Sequence, residues 1–139
     1  MKNSVDRFLE PSDRMFSMAL AEVKNGKKQS HWMWYIFPQL KGIGKTTTSY
    51  YYGISSLEEA RDFLKHPILG SRLYEITQAL LEVKGKTAFE IFGTPDYLKL
   101  KSCMTLFKLA APQESVFQEV INTYYMGYDD GLTRMKLNL

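Results

Sequence analysis

Helix start and stop signals recur along this chain, and they constrain its fold more than any other feature. Apolar residues at helical spacing fill segments that begin at serine, threonine or proline and end near glycine or proline. A side-chain oxygen at the start satisfies exposed backbone amides, and glycine readily adopts the left-handed conformation that closes a helix. The signals predict six helices, over residues 11–26, 56–64, 67–85, 87–93, 94–111 and 116–127. The tail after residue 127 has turn character at Asp129-Asp130-Gly131.

Residues 30–53 allow two interpretations. Trp32–Phe37 is aromatic and favours a short buried strand, yet Ser30 is a good helix cap and Pro38 would end a two-turn helix equally well. Thr46–Tyr52 is β-branched and aromatic, and is a second strand candidate. Because the other segments are helical, we predict a mainly α protein. It is expected to be a single compact domain over residues 1–139, with about six helices and a small irregular or strand-like insertion near 31–52.

Composition excludes several classes of protein. With 139 residues, 45% of them hydrophobic and 24% charged, the chain has the composition of an ordinary globular domain. Its only cysteine, Cys103, allows no internal disulfide, and two separated histidines do not supply the ligands of a zinc site. We therefore expect no metal and no cofactor. No apolar run reaches the roughly 18 residues of a membrane span, so we expect a soluble, cytoplasmic protein without a membrane partner.

Unopposed lysines lie next to the densest group of aromatic residues. The window Val23–Leu57 contains five lysines, both tryptophans and three successive tyrosines, Tyr50–Tyr52, but no carboxylate. Aromatic faces and lysines suit a flat, anionic, partly apolar ligand such as a nucleotide. They suit a buried core equally well, and we expect at least one of the three tyrosines to be core. The net charge of +3 permits a nucleic-acid partner but does not favour one.

The run Gly42-Ile43-Gly44-Lys45-Thr46 looks like the end of a phosphate-binding loop. That motif needs a glycine five positions before Gly44, where this chain has Gln39, so the nucleotide-triphosphatase motif is excluded. A milder interpretation remains, in which backbone amides and Lys45 approach an anion. The alternative is a plain surface turn.

Two further places carry groups suited to acid–base chemistry. His31 could act as a general acid or base, or its ring could simply bond a backbone carbonyl and pack on Trp34. Asp96, Lys99 and Cys103 fall three and four residues apart, so a helix places them on one face, with Ser102 beside them. An acid and a base one turn apart can fix a substrate, but they are also common as a solvated ion pair.

Several longer motifs resemble one known family. These are Ser30–Gln39 (SHWMWYIFPQ), Gly42-Ile43-Gly44, His66–Leu73, Ile91-Phe92-Gly93 and Asp96–Phe107. Together they resemble domain-of-unknown-function family 1810, from about Asp6 to Thr133. The resemblance implies a compact, mostly helical bacterial domain of unestablished function. Some members carry the label "calpastatin", which fits poorly because calpastatin-type inhibitors are disordered and this chain is built to fold.

The order of an aromatic-histidine segment followed by an Asp…Lys…Met helix is also similar to the NADAR domain. That group of N-glycosidases is linked to NAD and ADP-ribose chemistry, but its glutamate-histidine pair is not matched, since Ser30 precedes His31. We hypothesise a pocket between residues 30–48 and 96–103 that holds a nucleotide-like or ADP-ribose-like ligand. If the protein is an enzyme, the reaction we expect is hydrolysis of an N-glycosidic bond. The candidate catalytic residues are Asp96 and His31. The candidate ligand-binding residues are Trp34, Gln39, Lys45, Lys99 and Ser102.

The alternative hypothesis is a non-catalytic domain that binds a protein or RNA. In that case the aromatic string, Ser30–Gln39, belongs to the core, and the lysines of Val23–Leu57 face the partner. The sequence does not define the oligomeric state.

Overall fold

Short caps and breaks divide residues 4–139, which the computed structural model describes, into nine α-helices after one 3-10 turn, Ser4–Phe8. The helices are α1 Leu9–Lys24, α2 Met33–Ile36, α3 Thr47–Tyr51, α4 Leu57–Lys65, α5 Leu69–Glu82, α6 Ala88–Phe92, α7 Asp96–Ala110, α8 Ser115–Tyr125 and α9 Gly131–Lys136. The predicted mainly α fold is confirmed. None of these helices has the length and hydropathy of a membrane span.

The six helices predicted from the start and stop signals correspond to α1 and α4–α8. The amide of Glu59 donates to the Ser56 hydroxyl at 3.1 Å, which caps α4. Thr87 caps α6 in the same way, and the Glu90 carboxylate accepts in return from the Thr87 amide at 2.8 Å. The prediction for α7 needs a correction: Thr94 is not its cap, since α7 begins at Asp96 without a side-chain cap.

Residues 31–52 form two short helices, α2 and α3, rather than the candidate strands at Trp32–Phe37 and Thr46–Tyr52. Within the described part of the chain, the only β-type pairing is an isolated parallel bridge between Leu40 and Ile54. Local capping therefore prevails over β propensity here, because Thr46 caps α3 through the Ser49 amide and no neighbouring strand offers a partner.

The tail also forms a helix instead of ending in a turn. The Asp130 carboxylate accepts from the Thr133 amide at 3.0 Å and from its hydroxyl at 2.6 Å, and this cap starts α9. The expected turn residues thus serve as a helix start.

Helix α7 runs through the centre of the fold and packs against α4, α6, α8 and α9. Its partners cover much of its surface, so Ser102 and Cys103 do not share the partial exposure of Asp96 and Lys99: both are buried, at 3% and 0% exposure. Burial raises the pKa of the Cys103 thiol well above its usual value, which argues against a thiolate nucleophile.

Trp32 anchors the aromatic string in the core. Its side chain is fully buried, with ring centroids 6.2 Å from Phe37 and 6.4 Å from Phe92. Trp34, two residues later, is only partly buried. The string therefore has one tryptophan in the core and one that reaches the surface.

A buried ion pair between Arg7 and Glu59 fixes the segment that follows α3. Arg7 donates to both carboxylate oxygens of Glu59, at 3.2 and 3.1 Å, and to the Gly53 carbonyl at 2.7 Å. The Ser55 amide donates to the same carboxylate at 2.9 Å. These contacts fix the connection from α3 to α4, and with it the position of α3 next to α2.

We predict that Trp32→Ala lowers the free energy of unfolding by about 3–5 kcal/mol, the usual cost of removing a buried tryptophan. Trp34→Ala is expected to cost clearly less, because its ring is only partly buried. Urea unfolding followed by far-UV circular dichroism measures both. Equal losses for the two variants would contradict the distinction between a core tryptophan and a surface one.

Candidate functional site

The connection from α1 to α2 and the start of α7 enclose a cleft of about 260 Å³. We call it the polar cleft. Its lining residues are Lys28, Gln29, Ser30, His31, Met33, Trp34, Thr94, Pro95, Asp96 and Lys99.

An acid held between two lysines forms the wall of the polar cleft. The Asp96 carboxylate lies 2.8 Å from the Lys28 ammonium and 3.5 Å from the Lys99 ammonium. All three side chains are largely buried, with 18%, 7% and 20% of their surfaces exposed for Asp96, Lys28 and Lys99. Three charges with a sum of +1 are thus concentrated at one place, where the partly dry surroundings screen them less than water would.

Trp34 contributes a ring face and an unsatisfied donor. The Lys99 ammonium lies 4.9 Å from the centroid of the Trp34 ring, within the range of a cation–π contact. The indole nitrogen of Trp34 is buried, and no acceptor among the described residues lies within hydrogen-bond distance of it. A buried donor without an acceptor costs free energy, so an oxygen atom that reached this nitrogen would be bound favourably.

The carboxylate of Glu22, on α1, holds the loop that carries Lys28 and His31. It accepts from the amides of Gln29 and Ser30 at 2.7 and 3.0 Å, from the Ser30 hydroxyl at 2.6 Å, and from the Trp32 indole at 2.9 Å. Burial on its own would raise the pKa of Glu22. The hydrogen bonds, that of the Ser30 hydroxyl first, outweigh burial and lower the pKa to about 2.

A second cleft, of about 510 Å³, lies beyond Lys99. We call it the apolar cleft, after Ile43, Leu98 and Leu132 in its walls. Its lining residues are Gln39, Ile43, Gly44, Lys45, Thr46, Ser49, Pro95, Leu98, Lys99, Ser102, Asp130 and Leu132. Pro95 and Lys99 line both clefts.

The sequence-predicted site residues are divided between the two clefts. His31, Trp34, Asp96 and Lys99 line the polar cleft, whereas Gln39, Lys45, Lys99 and Ser102 line the apolar one. Trp34, Gln39 and Lys99 also border a space of about 10 Å³, room for one water molecule. The structure therefore brings these residues to one region, though not into one cavity.

The predicted site residues differ in their exposure and in their hydrogen bonds. The His31 side chain is exposed and makes no hydrogen bond to the described residues, so the expected bond to a backbone carbonyl is absent there. The Ser102 hydroxyl donates to the Leu98 carbonyl at 3.2 Å. Residues 41–46 form a turn followed by bends, and Gly44 packs closely on α3, since a Cβ there would lie 2.6 Å from Ser49.

Sequence reasoning did not single out Lys28 and Glu22 as site residues. Their partners are distant in sequence or are backbone amides, and neither kind of partner leaves a local motif. The only available signal was the position of Lys28 in the carboxylate-free window. Among residues 4–139, no group of three or more histidine, cysteine, aspartate or glutamate side chains could hold a metal ion.

Comparison with known proteins gives a family but no activity. The model of the family described as "Protein of unknown function (DUF1810)" matches residues 2–137. A solved structure, that of the conserved hypothetical protein Rv1873 from Mycobacterium tuberculosis, is 41% identical, covers 99% of this chain and 98% of its own, and superposes with a TM-score of 0.96. No curated protein matches significantly. The chain therefore belongs to the DUF1810 family.

We predict that Glu22→Gln removes part of the pH dependence of stability. The pKa of Glu22 is lower in the folded state than its ordinary value of 4.5, so its stabilisation is complete above about pH 4.5 and is lost as the pH falls towards about 2. At pH 7 the variant should lose about 2 kcal/mol, since the hydrogen bonds no longer reach a charged acceptor.

Urea unfolding at pH 7 and at pH 3 measures this difference, with the exposed Glu82→Gln as the matched control. If both variants change stability equally at both pH values, Glu22 does not hold the loop.

Proposed function

We propose that this member of the DUF1810 family binds a phosphorylated, nucleotide-like ligand of the ADP-ribose kind where the polar and apolar clefts meet. The position of Lys99 carries the proposal. Its ammonium borders both clefts, 4.9 Å from the Trp34 ring centroid and 3.5 Å from the Asp96 carboxylate. Positive charge, an aromatic ring and an unsatisfied indole donor thus converge at one point.

Charge balance supports an anionic ligand. Lys28 and Lys99 share a single carboxylate, and Lys45 at the rim of the apolar cleft is exposed. Lysine binds phosphate as a concentrated point charge, and these lysines already lie where the ligand would bind. Asp96 then acts as an internal competitor, because an arriving phosphate must replace it as the partner of Lys99.

Two different features of Trp34 support a ligand with a sugar or base. Lys99 covers one face of the ring, so a base stacks on that face only when Lys99 moves towards a phosphate. The indole N–H, which is buried without an acceptor among the described residues, would donate to a phosphate or hydroxyl oxygen once a small local movement admits it. Gln39 and Ser102 add polar groups on the side of the apolar cleft.

Hydrolysis of an N-glycosidic bond is the reaction that this site would perform if the protein is an enzyme. The oxygen of a water molecule would add to the anomeric carbon as the bond to nitrogen breaks, the bonding electrons would leave with the nitrogen, and the water would lose a proton; the nicotinamide of NAD leaves neutral and needs no proton. Asp96 would stabilise the positive charge that develops on the sugar, and His31 would accept the proton from the water. What supports these roles is that both side chains line the same polar cleft.

A separate observation favours the alternative of a protein- or RNA-interaction domain. Tyr50 and Tyr51 are 61% and 56% exposed, and the Lys41 ammonium lies 4.7 Å from the Tyr50 ring centroid. Exposed aromatic rings beside a lysine are typical of surfaces on which unpaired bases stack. Tyr52, by contrast, is partly buried and packs against the core.

We predict that Lys99→Met weakens the binding of ADP-ribose by about tenfold or more, the cost of one lost charge-assisted contact. Asp96→Asn should instead strengthen binding, because the internal competitor loses its charge, and should abolish any release of free base from NAD. Isothermal titration at fixed salt measures binding, and chromatography of NAD incubated with the protein measures hydrolysis.

Lys84→Met, on an exposed lysine outside both clefts, is the control and should bind like the wild type. The proposal is wrong if ADP-ribose, NAD and nucleotides all fail to bind the wild-type protein at millimolar concentration. Salt-dependent RNA binding that Lys41→Met weakens would then favour the interaction domain.

A further inference from the structure

We infer that the ligand has two chemically distinct parts, a phosphate at Lys99 and a flat, apolar ring seated in the apolar cleft. This inference rests on the proposed function and specifies the class of ligand. It predicts that phosphates carrying a flat aromatic ring, such as nucleoside phosphates, bind more tightly than phosphates carrying only a sugar.

The walls of the apolar cleft are the first support. Leu98 on α7 and Leu132 on α9 leave 49% and 42% of their surfaces exposed, and they line the same concavity as Ile43 and Pro95. A single exposed leucine is ordinary on a protein surface. Leucines from two helices that line one cleft of about 510 Å³ form the apolar lining typical of small-molecule sites.

The shared wall is the second support. Because Lys99 and Pro95 line both clefts, a phosphate at Lys99 lies at the entrance of each. The polar cleft offers Gln29, Ser30 and His31, which suit hydroxyl groups rather than an apolar ring. One molecule can therefore contact Lys99 with its phosphate while its ring enters the apolar cleft.

Charge sets the orientation of that molecule. Asp130 lines the apolar cleft beside Thr105 of α7, six residues beyond Lys99, since its amide donates to the Thr105 hydroxyl at 2.9 Å. Its carboxylate is fixed there as the cap of α9, where it accepts from Thr133. A fixed carboxylate repels a phosphate but accepts a hydrogen bond from a ring amino group. The charged end is thus expected at Lys99 and the uncharged ring towards Asp130.

The wall that Leu132 contributes is already in place before a ligand binds. The Asp129 carboxylate accepts from the Lys108 ammonium at 2.6 Å and from the Arg134 guanidinium at 2.9 Å, which ties the start of α9 to α7. A preformed wall avoids the entropic cost of ordering a loop around the ligand.

Three probes with one phosphate group and a growing organic part test the inference: inorganic phosphate, ribose 5-phosphate and AMP. For the wild-type protein, titration calorimetry at fixed salt should show AMP binding more tightly than ribose 5-phosphate. Leu98→Ser and Leu132→Ser should each weaken AMP binding by about tenfold, the effect of losing one partly buried leucine contact. Both variants should bind inorganic phosphate and ribose 5-phosphate like the wild type.

Leu139→Ser is the matched control, since Leu139 is 56% exposed and lines neither cleft. Thermal melts verify that each variant is folded. Equal affinity for AMP and ribose 5-phosphate, or AMP binding that both serine variants leave unchanged, overturns the inference while phosphate binding still supports the proposed function. Failure of all three probes, together with ADP-ribose and NAD, to bind the wild type overturns both.

Discussion

The site depends on the carboxylate of Glu22 and the hydrogen bonds it accepts from the loop between α1 and α2. One of those donors is the indole of Trp32, which is itself buried in the core. Helix α1, the loop and the core are thus joined at a single charged group. Lys28, in the same loop, then reaches the first turn of α7 through Asp96, and its amide donates to the Ile91 carbonyl of α6 at 2.7 Å. The hydrogen bonds to Glu22 hold this loop against α1, and the Lys28–Asp96 ion pair joins it to α7 across the polar cleft.

The Asp96 carboxylate has two opposing effects on the lysines beside it. Asp96 keeps Lys28 and Lys99 close together, which a lysine pair would otherwise resist because like charges repel. The same carboxylate also occupies the two cations that an anionic ligand would use. Such a site favours ligands whose other contacts offset the loss of the ion pairs with Asp96. It discriminates against simple anions that offer only charge. The neighbouring apolar cleft is where those other contacts are available.

The sequence predicts most of the helices because their ends are local chemistry: the caps of α4 and α6 involve residues only three positions apart. It misleads at Thr46–Tyr52, where β-branched residues form a capped helix in the absence of a partner strand. In the site, the Asp96–Lys99 pair follows from helical spacing, whereas the Lys28–Asp96 contact depends on packing that no local pattern encodes. The burial of Ser102 and Cys103 escapes the sequence for a related reason, since it depends on the packing of α4, α6, α8 and α9 around part of α7.

The indole N–H groups of the two tryptophans differ in their hydrogen bonds and can serve as internal probes of the structure. The Trp32 indole N–H donates a hydrogen bond to the Glu22 carboxylate, whereas the Trp34 indole nitrogen has no acceptor among the described residues. An N–H proton hydrogen-bonded to a charged oxygen resonates and exchanges differently from one without an acceptor. In a nuclear magnetic resonance spectrum, the Trp32 indole signal would therefore report whether the loop is intact, and the Trp34 indole signal whether a ligand has bound. Neither measurement needs a label or a mutation.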